Sequence, residues 1–118
     1  MKHTEATIQR ELIKWIKQEY PQVEYLYCKN EGKKDAMMGK LDKQMGLLAG
    51  FPDLTFFYTK ENVTYILHLE LKTLKGKLNN NQKKWWANLE KTSNREGFVV
   101  YGFQEAKKYF IKWFDNVE

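Results

Sequence analysis

Two short runs carry the residue types that phosphate chemistry needs. Gly50-Phe51-Pro52-Asp53 supplies an acid just after a forced bend, and Glu70-Leu71-Lys72 supplies an acid and a base two positions apart. Between them, Leu54-Thr55-Phe56-Phe57-Tyr58 and Thr64-Tyr65-Ile66-Leu67-His68-Leu69 are rich in β-branched and aromatic residues and read as strands, with Thr59-Lys60-Glu61-Asn62 as the turn. Such a hairpin brings Asp53, at the mouth of one strand, to the end of its neighbour, where Glu70 and Lys72 stand. Strand side chains alternate, so Glu70 and Lys72 share a face and Leu71 points away.

Two acids at adjacent strand ends repel each other, and burying them unpaired costs several kcal/mol. A divalent cation removes that conflict. Asp53 and Glu70 are hard oxygen ligands suited to Mg²⁺ or Mn²⁺, and the carbonyl of Leu71 offers a further oxygen. Such an ion polarises a phosphodiester oxygen and lowers the pKa of a bound water. Lys72 is then placed to hold the attacking water or to stabilise charge in the transition state. A Pro-Asp turn followed by a strand-end salt bridge between Glu70 and Lys72 would use the same residues without chemistry. Gln82, at the head of the following helix, tips the balance, because its amide is suited to orienting a water or a phosphate. His68 shares the strand face of Glu70 and Lys72, but a single strand histidine reads more readily as a core or cleft residue. There is no Walker-type glycine loop, no Gly-x-Ser-x-Gly and no Cys/His spacing for zinc.

The elements that must hold these groups follow from periodicity. Thr4 is suited to cap a first helix running to about Tyr20 and stopped by Pro21, with Ile8, Leu12, Trp15 and Ile16 as its buried stripe. At about 100° per residue Glu5 falls near the centre of that stripe and Glu11 well off it. Glu5 is therefore either a first-turn acid favoured by the helix dipole or a carboxylate turned toward an interior site. Val23 to Cys28 reads as a short strand and Lys29 to Lys34 as a basic loop. Met38, Leu41, Met45 and Leu48 then recur at helical spacing, and Gly46 and Gly50 end that helix.

After the basic loop Thr73 to Leu78, one of Asn79, Asn80 and Asn81 caps a helix bearing Gln82, Trp85, Trp86 and Leu89 on one face. A buried amide needs partners, so Gln82 in the middle of that face predicts that the helix start meets something polar. Gly97 closes the next loop, Phe98 to Tyr101 is an apolar strand, and Gly102 leads to a helix carrying Ala106, Tyr109, Phe110 and Trp113. A helical crossover from the strand ending at Leu71 to Phe98 implies parallel pairing there, hence a mixed sheet flanked by helices in an α/β fold.

With 118 residues the chain is expected to be one domain, 1–118, with a real core. A formal net charge of +5 favours an anionic partner. Cys28 is the single cysteine, so no internal disulfide forms, and it reads as a small core residue. The charged N-terminus is unlike a signal peptide and no apolar run approaches membrane-spanning length, which leads to the expectation of a soluble, cytoplasmic protein with no membrane partner.

Taken in order, these segments resemble the VRR-NUC family of the PD-(D/E)xK nuclease superfamily. The likeness runs from Leu41-x-x-x-Met45-Gly46-x-x-Ala49-Gly50-Phe51-Pro52-Asp53-Leu54, through Leu69-Glu70-Leu71-Lys72-Thr73-x-Lys75-Gly76, to Gln82-x-x-Trp85, Leu89 and Gly97. Glu5-x-x-Ile8-Gln9-x-x-Leu12 and Asn30-Glu31-Gly32 look like the family's opening, and Asn79 departs from its more usual Ser or Thr. The resemblance implies a restriction-endonuclease-like fold and a metal-dependent nuclease. Asp53 and Glu70 would be metal ligands, Lys72 the catalytic lysine and Gln82 its auxiliary. Glu5 is the better match to the first-helix acid, with Glu11 as the alternative. It further implies cleavage of branched DNA such as four-way junctions, in a bacterial or phage-infected cell, with a homodimer presenting two active sites. Asn30, Lys33, Lys34, Lys40, Lys75 and Lys77, with Lys29, would contact the nucleic acid.

Two readings of other classes compete. One is a non-catalytic DNA-binding module that keeps the fold. The other is a protein-interaction subunit using an exposed patch of Trp85, Trp86 and Trp113.

Overall fold

The computed structural model describes residues 4–27, 52–73, 77–89 and 94–118, apart from the side chain of residue 88. The helix expected around Met38 to Leu48, the basic loop Lys29 to Lys34, Cys28, Lys40, Gly46, Gly50 and Lys75 lie outside them. In chain order the elements are α1 (Glu5–Glu19), β1 (Glu24–Tyr27), β2 (Leu54–Lys60), β3 (Val63–Lys72), α2 (Asn80–Leu89), β4 (Arg95–Tyr101) and α3 (Phe103–Val117). They form a mixed four-stranded sheet in the order β1-β2-β3-β4, antiparallel across the first two pairs and parallel between β3 and β4.

Thr4 caps α1 as its residue type predicts: its hydroxyl accepts the Thr7 N–H at 3.1 Å. Ile8, Leu12 and Ile16 are buried along that helix and Trp15 packs against the core. The β2–β3 hairpin is tighter than the sequence suggests. Pairing continues to Lys60–Val63, so the loop shrinks to Glu61 and Asn62, with φ of 52° and 67°. Two successive left-handed residues match the natural twist of the strands, which is why Thr59 and Lys60 stay in the ladder. The Thr59 and Thr64 hydroxyls are 2.8 Å apart beside the turn.

Register divides the sheet into two faces. Leu54, Phe56, Leu67, Leu69, Leu71 and Val100 point toward α1 and α3, where Phe110 meets Phe56 and Trp15 edge-on and Tyr109 stacks on Phe98. Fully burying side chains of this size contributes roughly 1.5–3 kcal/mol each. Trp113 belongs to this core at 2% exposure, so it cannot join an exposed aromatic patch. The opposite face carries Thr55, His68, Glu70 and Gly97, and α2 covers it.

Gly97 sits inside β4 rather than closing a loop, because the strand begins at Arg95. Its role is close approach: a Cβ there would lie 2.2 Å from a Trp86 ring carbon and 2.3 Å from a Leu89 methyl. Trp86 and Leu89 thus fit directly onto bare backbone. Among the described residues no helix is long and apolar enough to cross a membrane.

Candidate active site

The site starts from unequal strand lengths. The last β2–β3 pair is Leu54–Leu69, but β3 continues through Glu70, Leu71 and Lys72 alongside β4. On the β2 side, Pro52 stands where the ladder would go on, and β2 has already ended. The Leu71 N–H that faces this gap is taken instead by the Asp53 carboxylate, whose Oδ2 accepts it at 2.9 Å. A strand amide thereby fixes the aim of Asp53.

Glu70 is fully buried, and Lys72 beside it is 8% exposed with its Nζ 3.6 Å from Glu70 Oε2. The first turn of α1 delivers Glu5 to the same place. One carboxylate oxygen each from Glu5, Asp53 and Glu70 lie within 4.8 Å of one another. Glu11 is exposed on α1 and takes no part in this group.

Among the described residues three carboxylates gather beside one ammonium, with Asp53 and Glu70 buried and Glu5 half-buried. Burial raises the Asp53 carboxyl above its ordinary value, against the pull of Glu70, the Leu71 N–H and Lys72. A hydrogen bond between two carboxyl groups needs a proton held between them. Burial also raises Glu5, with Lys72 pulling it down and Asp53 pushing it up. The Glu5 Oε1 is buried with no hydrogen-bond partner among the described residues. An orphaned carboxylate oxygen beside two further acids suits a hard divalent cation, so the donor set fits such an ion.

Gln82 is buried at the head of α2. Its polar partner turns out to be local. Asn79 Oδ1 accepts the Gln82 N–H and Gln82 Oε1 accepts the Asn79 N–H, both at 2.9 Å, the reciprocal arrangement of a capping box. Any role toward a ligand therefore falls to the amide nitrogen of Gln82.

The VRR-NUC domain family model matches residues 3–104. The chain belongs to the VRR-NUC family. A solved structure, a VRR_NUC domain protein, superposes with a TM-score of 0.68 at 19% identity, covering 98% of this chain and 91% of that one. At that identity the likeness speaks for the fold. No curated protein matches the chain. As a VRR-NUC domain it is a nuclease-fold domain, for which DNA is the implied substrate, and the carboxylate cluster lies within the matched residues.

Next to the cluster on the covered face of this VRR-NUC sheet is a second polar group. His68 Nδ1 lies 2.8 Å from Thr55 Oγ1, while Arg95 approaches His68 Nε2 through its Nε at 3.2 Å and a terminal nitrogen at 2.9 Å. Arginine only donates, so Nε2 accepts and Nδ1 carries the proton given to Thr55. Burial, reinforced by Arg95, lowers the His68 pKa to about 4, keeping the ring neutral. Trp85 packs edge-on to His68 at 4.8 Å, with the Arg95 guanidinium 5.6 Å from its ring centre.

The sequence marks His68 but not its partners. Thr55 is directly opposite His68 and follows from the hairpin register, whereas Arg95 depends on the parallel β3–β4 register, which no local pattern encodes. Among the expected nucleic-acid contacts, Lys77 is exposed just before α2; Asn30, Lys33, Lys34, Lys40 and Lys75 lie outside the described residues.

Proposed function

We propose that this VRR-NUC domain is a divalent-metal-dependent DNA endonuclease that hydrolyses phosphodiester bonds. The observation that carries the reading is the convergence of Glu5, Asp53 and Glu70 within 4.8 Å, with the Lys72 ammonium beside them. Asp53 and Glu70 would hold Mg²⁺ or Mn²⁺. Leu71 would add its carbonyl, which strand geometry turns to the same side as the N–H already facing Asp53. Once bound, such an ion supplies Lewis-acid polarisation of the phosphate and a more acidic water.

The chain's own residues do the rest. Lys72 is buried, so its charge acts in a low-dielectric setting, where it orients the attacking water and stabilises the charge that gathers on phosphate oxygens. Glu5, raised by burial, holds a proton more readily than an exposed glutamate and can exchange one with a water in the site. The Gln82 amide nitrogen orients a water or a phosphate oxygen from a helix start that the capping box keeps rigid. Lys77 contacts the DNA backbone, with Asn30, Lys33, Lys34, Lys40 and Lys75 as further contacts. Branched DNA such as four-way junctions is the preferred substrate in this reading. A homodimer would place two sites for paired nicks in the cytoplasm of a bacterial or phage-infected cell.

Labelled four-way junction, flap and linear duplex DNA, each incubated with Mg²⁺, Mn²⁺ or chelator, tests this. Metal-dependent cutting with the junction cleaved fastest is expected. DNA left intact in every metal lane, yet bound in a salt-dependent way, would make the chain a non-catalytic binding module instead.

A further inference from the structure

Beside the carboxylate cluster, α1 and β1 enclose a groove of about 410 Å³ whose walls include Arg10, Ile13, Lys14, Lys17, Tyr25 and Tyr27. Both walls begin at the site. On α1, Gln9, Ile13 and Lys17 follow Glu5 at four-residue intervals, along one ridge of the helix, so the wall extends about 18 Å from Glu5 at 1.5 Å per residue. On β1, Tyr27 pairs with Leu54, the neighbour of Asp53, and Tyr25 pairs with Phe56 further out. Helix and strand run in opposite senses, so Lys17 and Tyr25 meet at the far end, with the Lys17 Nζ 6.0 Å from the Tyr25 ring centre.

Among the described residues, the lining holds three cations, two tyrosines and no acid. Tyr25 is 37% and Tyr27 50% exposed, far more than the aromatic residues of the core. As alternate residues of one strand, the two rings face the same way, roughly 7 Å apart. Rings at intervals along a basic groove form a surface for unpaired bases, with phosphates following the cations. Duplex bases are already stacked on each other and present no faces to such rings.

We infer that the α1–β1 groove binds a single-stranded nucleic-acid arm leading out of the cleavage site, with bases against Tyr25 and Tyr27 and phosphates against Arg10, Lys14 and Lys17. The inference rests on the nuclease reading for its direction but not for its test. It adds, to the branch that the nuclease reading prefers, an unpaired strand adjoining the scissile bond as a feature this face recognises.

The test is fluorescence anisotropy of the full chain, in chelator, with labelled oligothymidylate and with a blunt duplex of equal length, across a salt series. Tyr25→Ala/Tyr27→Ala should weaken oligothymidylate binding by about 10-fold or more and leave duplex binding within about 2-fold, since stacking gains apply to unpaired bases. Lys14→Gln/Lys17→Gln should weaken binding and flatten the single-strand salt slope by roughly 1.4, at about 0.7 for each phosphate that is no longer neutralised. All four positions are exposed or half-exposed, and unchanged melting curves will confirm intact folds.

Oligothymidylate binding equal in wild type and both variants overturns the groove. Equal loss of duplex and single-strand affinity overturns it too, because the surface is then not selective for unpaired bases. A wild type that sediments as a dimer, with variants that sediment as monomers, would show instead that the groove is where copies of the chain meet. Selective single-strand loss in a chain that cuts no DNA supports the groove and removes the nuclease reading, so the two fail separately.

Discussion

β3 places two buried polar groups side by side on one face, and they are resolved in opposite ways. Around His68 the protein completes its own network: Thr55 on one ring nitrogen, Arg95 on the other, Trp85 against the edge. Two residues on, Glu70 joins Asp53 and Glu5 in a cluster where, among the described residues, three acids meet one ammonium and a Glu5 oxygen has no hydrogen-bond partner. Burial pushes the first group toward neutrality at no conflict with its neighbours. In the second it pushes like charges together. The contrast separates a polar group whose partners the fold supplies from one whose donor set fits a divalent cation.

The largest effect that would break this contrast is in cleavage. Asp53→Asn keeps an acceptor for the Leu71 N–H but removes a charge, and should cut DNA at least about 10²–10³-fold more slowly in single-turnover assays. Urea unfolding of the same variant in chelator should show stability equal to or above wild type, because a buried like charge is gone. A clear loss of metal-free stability would place Asp53 among the fold-serving residues.

Next in size is the fold-serving side itself. His68→Ala strips Thr55 and Arg95 of their buried partner and leaves a cavity, and should lower unfolding free energy by about 2–4 kcal/mol. A loss below about 0.5 kcal/mol would mean the network contributes little to the fold.

Divalent cation should then stabilise one group and leave the other unmoved. At about 100 times its dissociation constant, Mg²⁺ or Mn²⁺ would add about 2.7 kcal/mol. Thermal melts should rise for wild type and for His68→Ala alike, but not for a Glu5→Gln/Asp53→Asn double variant.

The smallest expected effect is in pH, with opposite signs. Asp53 and Glu5 are raised in the folded chain, so their contribution is fully present below the ordinary carboxylate range and is lost as pH rises through their raised values. His68 is lowered to about 4 from 6.5, so its contribution holds above 6.5 and is lost as pH falls toward 4. In chelator, Asp53→Asn should flatten the decline on the alkaline side only. Saturating Mg²⁺ should reverse that decline, since it binds the deprotonated acids.

Local pattern sufficed for the hairpin, the parallel crossover and the gathering of Asp53, Glu70 and Lys72, because strand alternation and a proline act over a few residues. Helical phase put Glu5 near the centre of the buried stripe but left open whether it was a helix-start charge or the inward carboxylate that the fold brings to Asp53 and Glu70. It failed to say what Gln82 bonds to, although the Asn79-x-x-Gln82 spacing already contains a capping box. Trp113 shares the stripe of Ala106 and Phe110, and that periodicity was the better guide to its burial than its size. Arg95 and the packing of Trp86 on Gly97 were out of reach, since each depends on register between distant segments.

The Glu61–Asn62 turn has a consequence at the far end of its hairpin, about 24 Å away at 3.4 Å per residue. Its two left-handed residues admit one alignment of β2 with β3. Shift that alignment by a single residue and every side chain of β3 changes sides: Leu69 and Leu71 would meet the acids, and Glu70 the phenylalanines. The turn works like the key on a shaft, touching none of the acids yet determining which way the face that carries them is mounted.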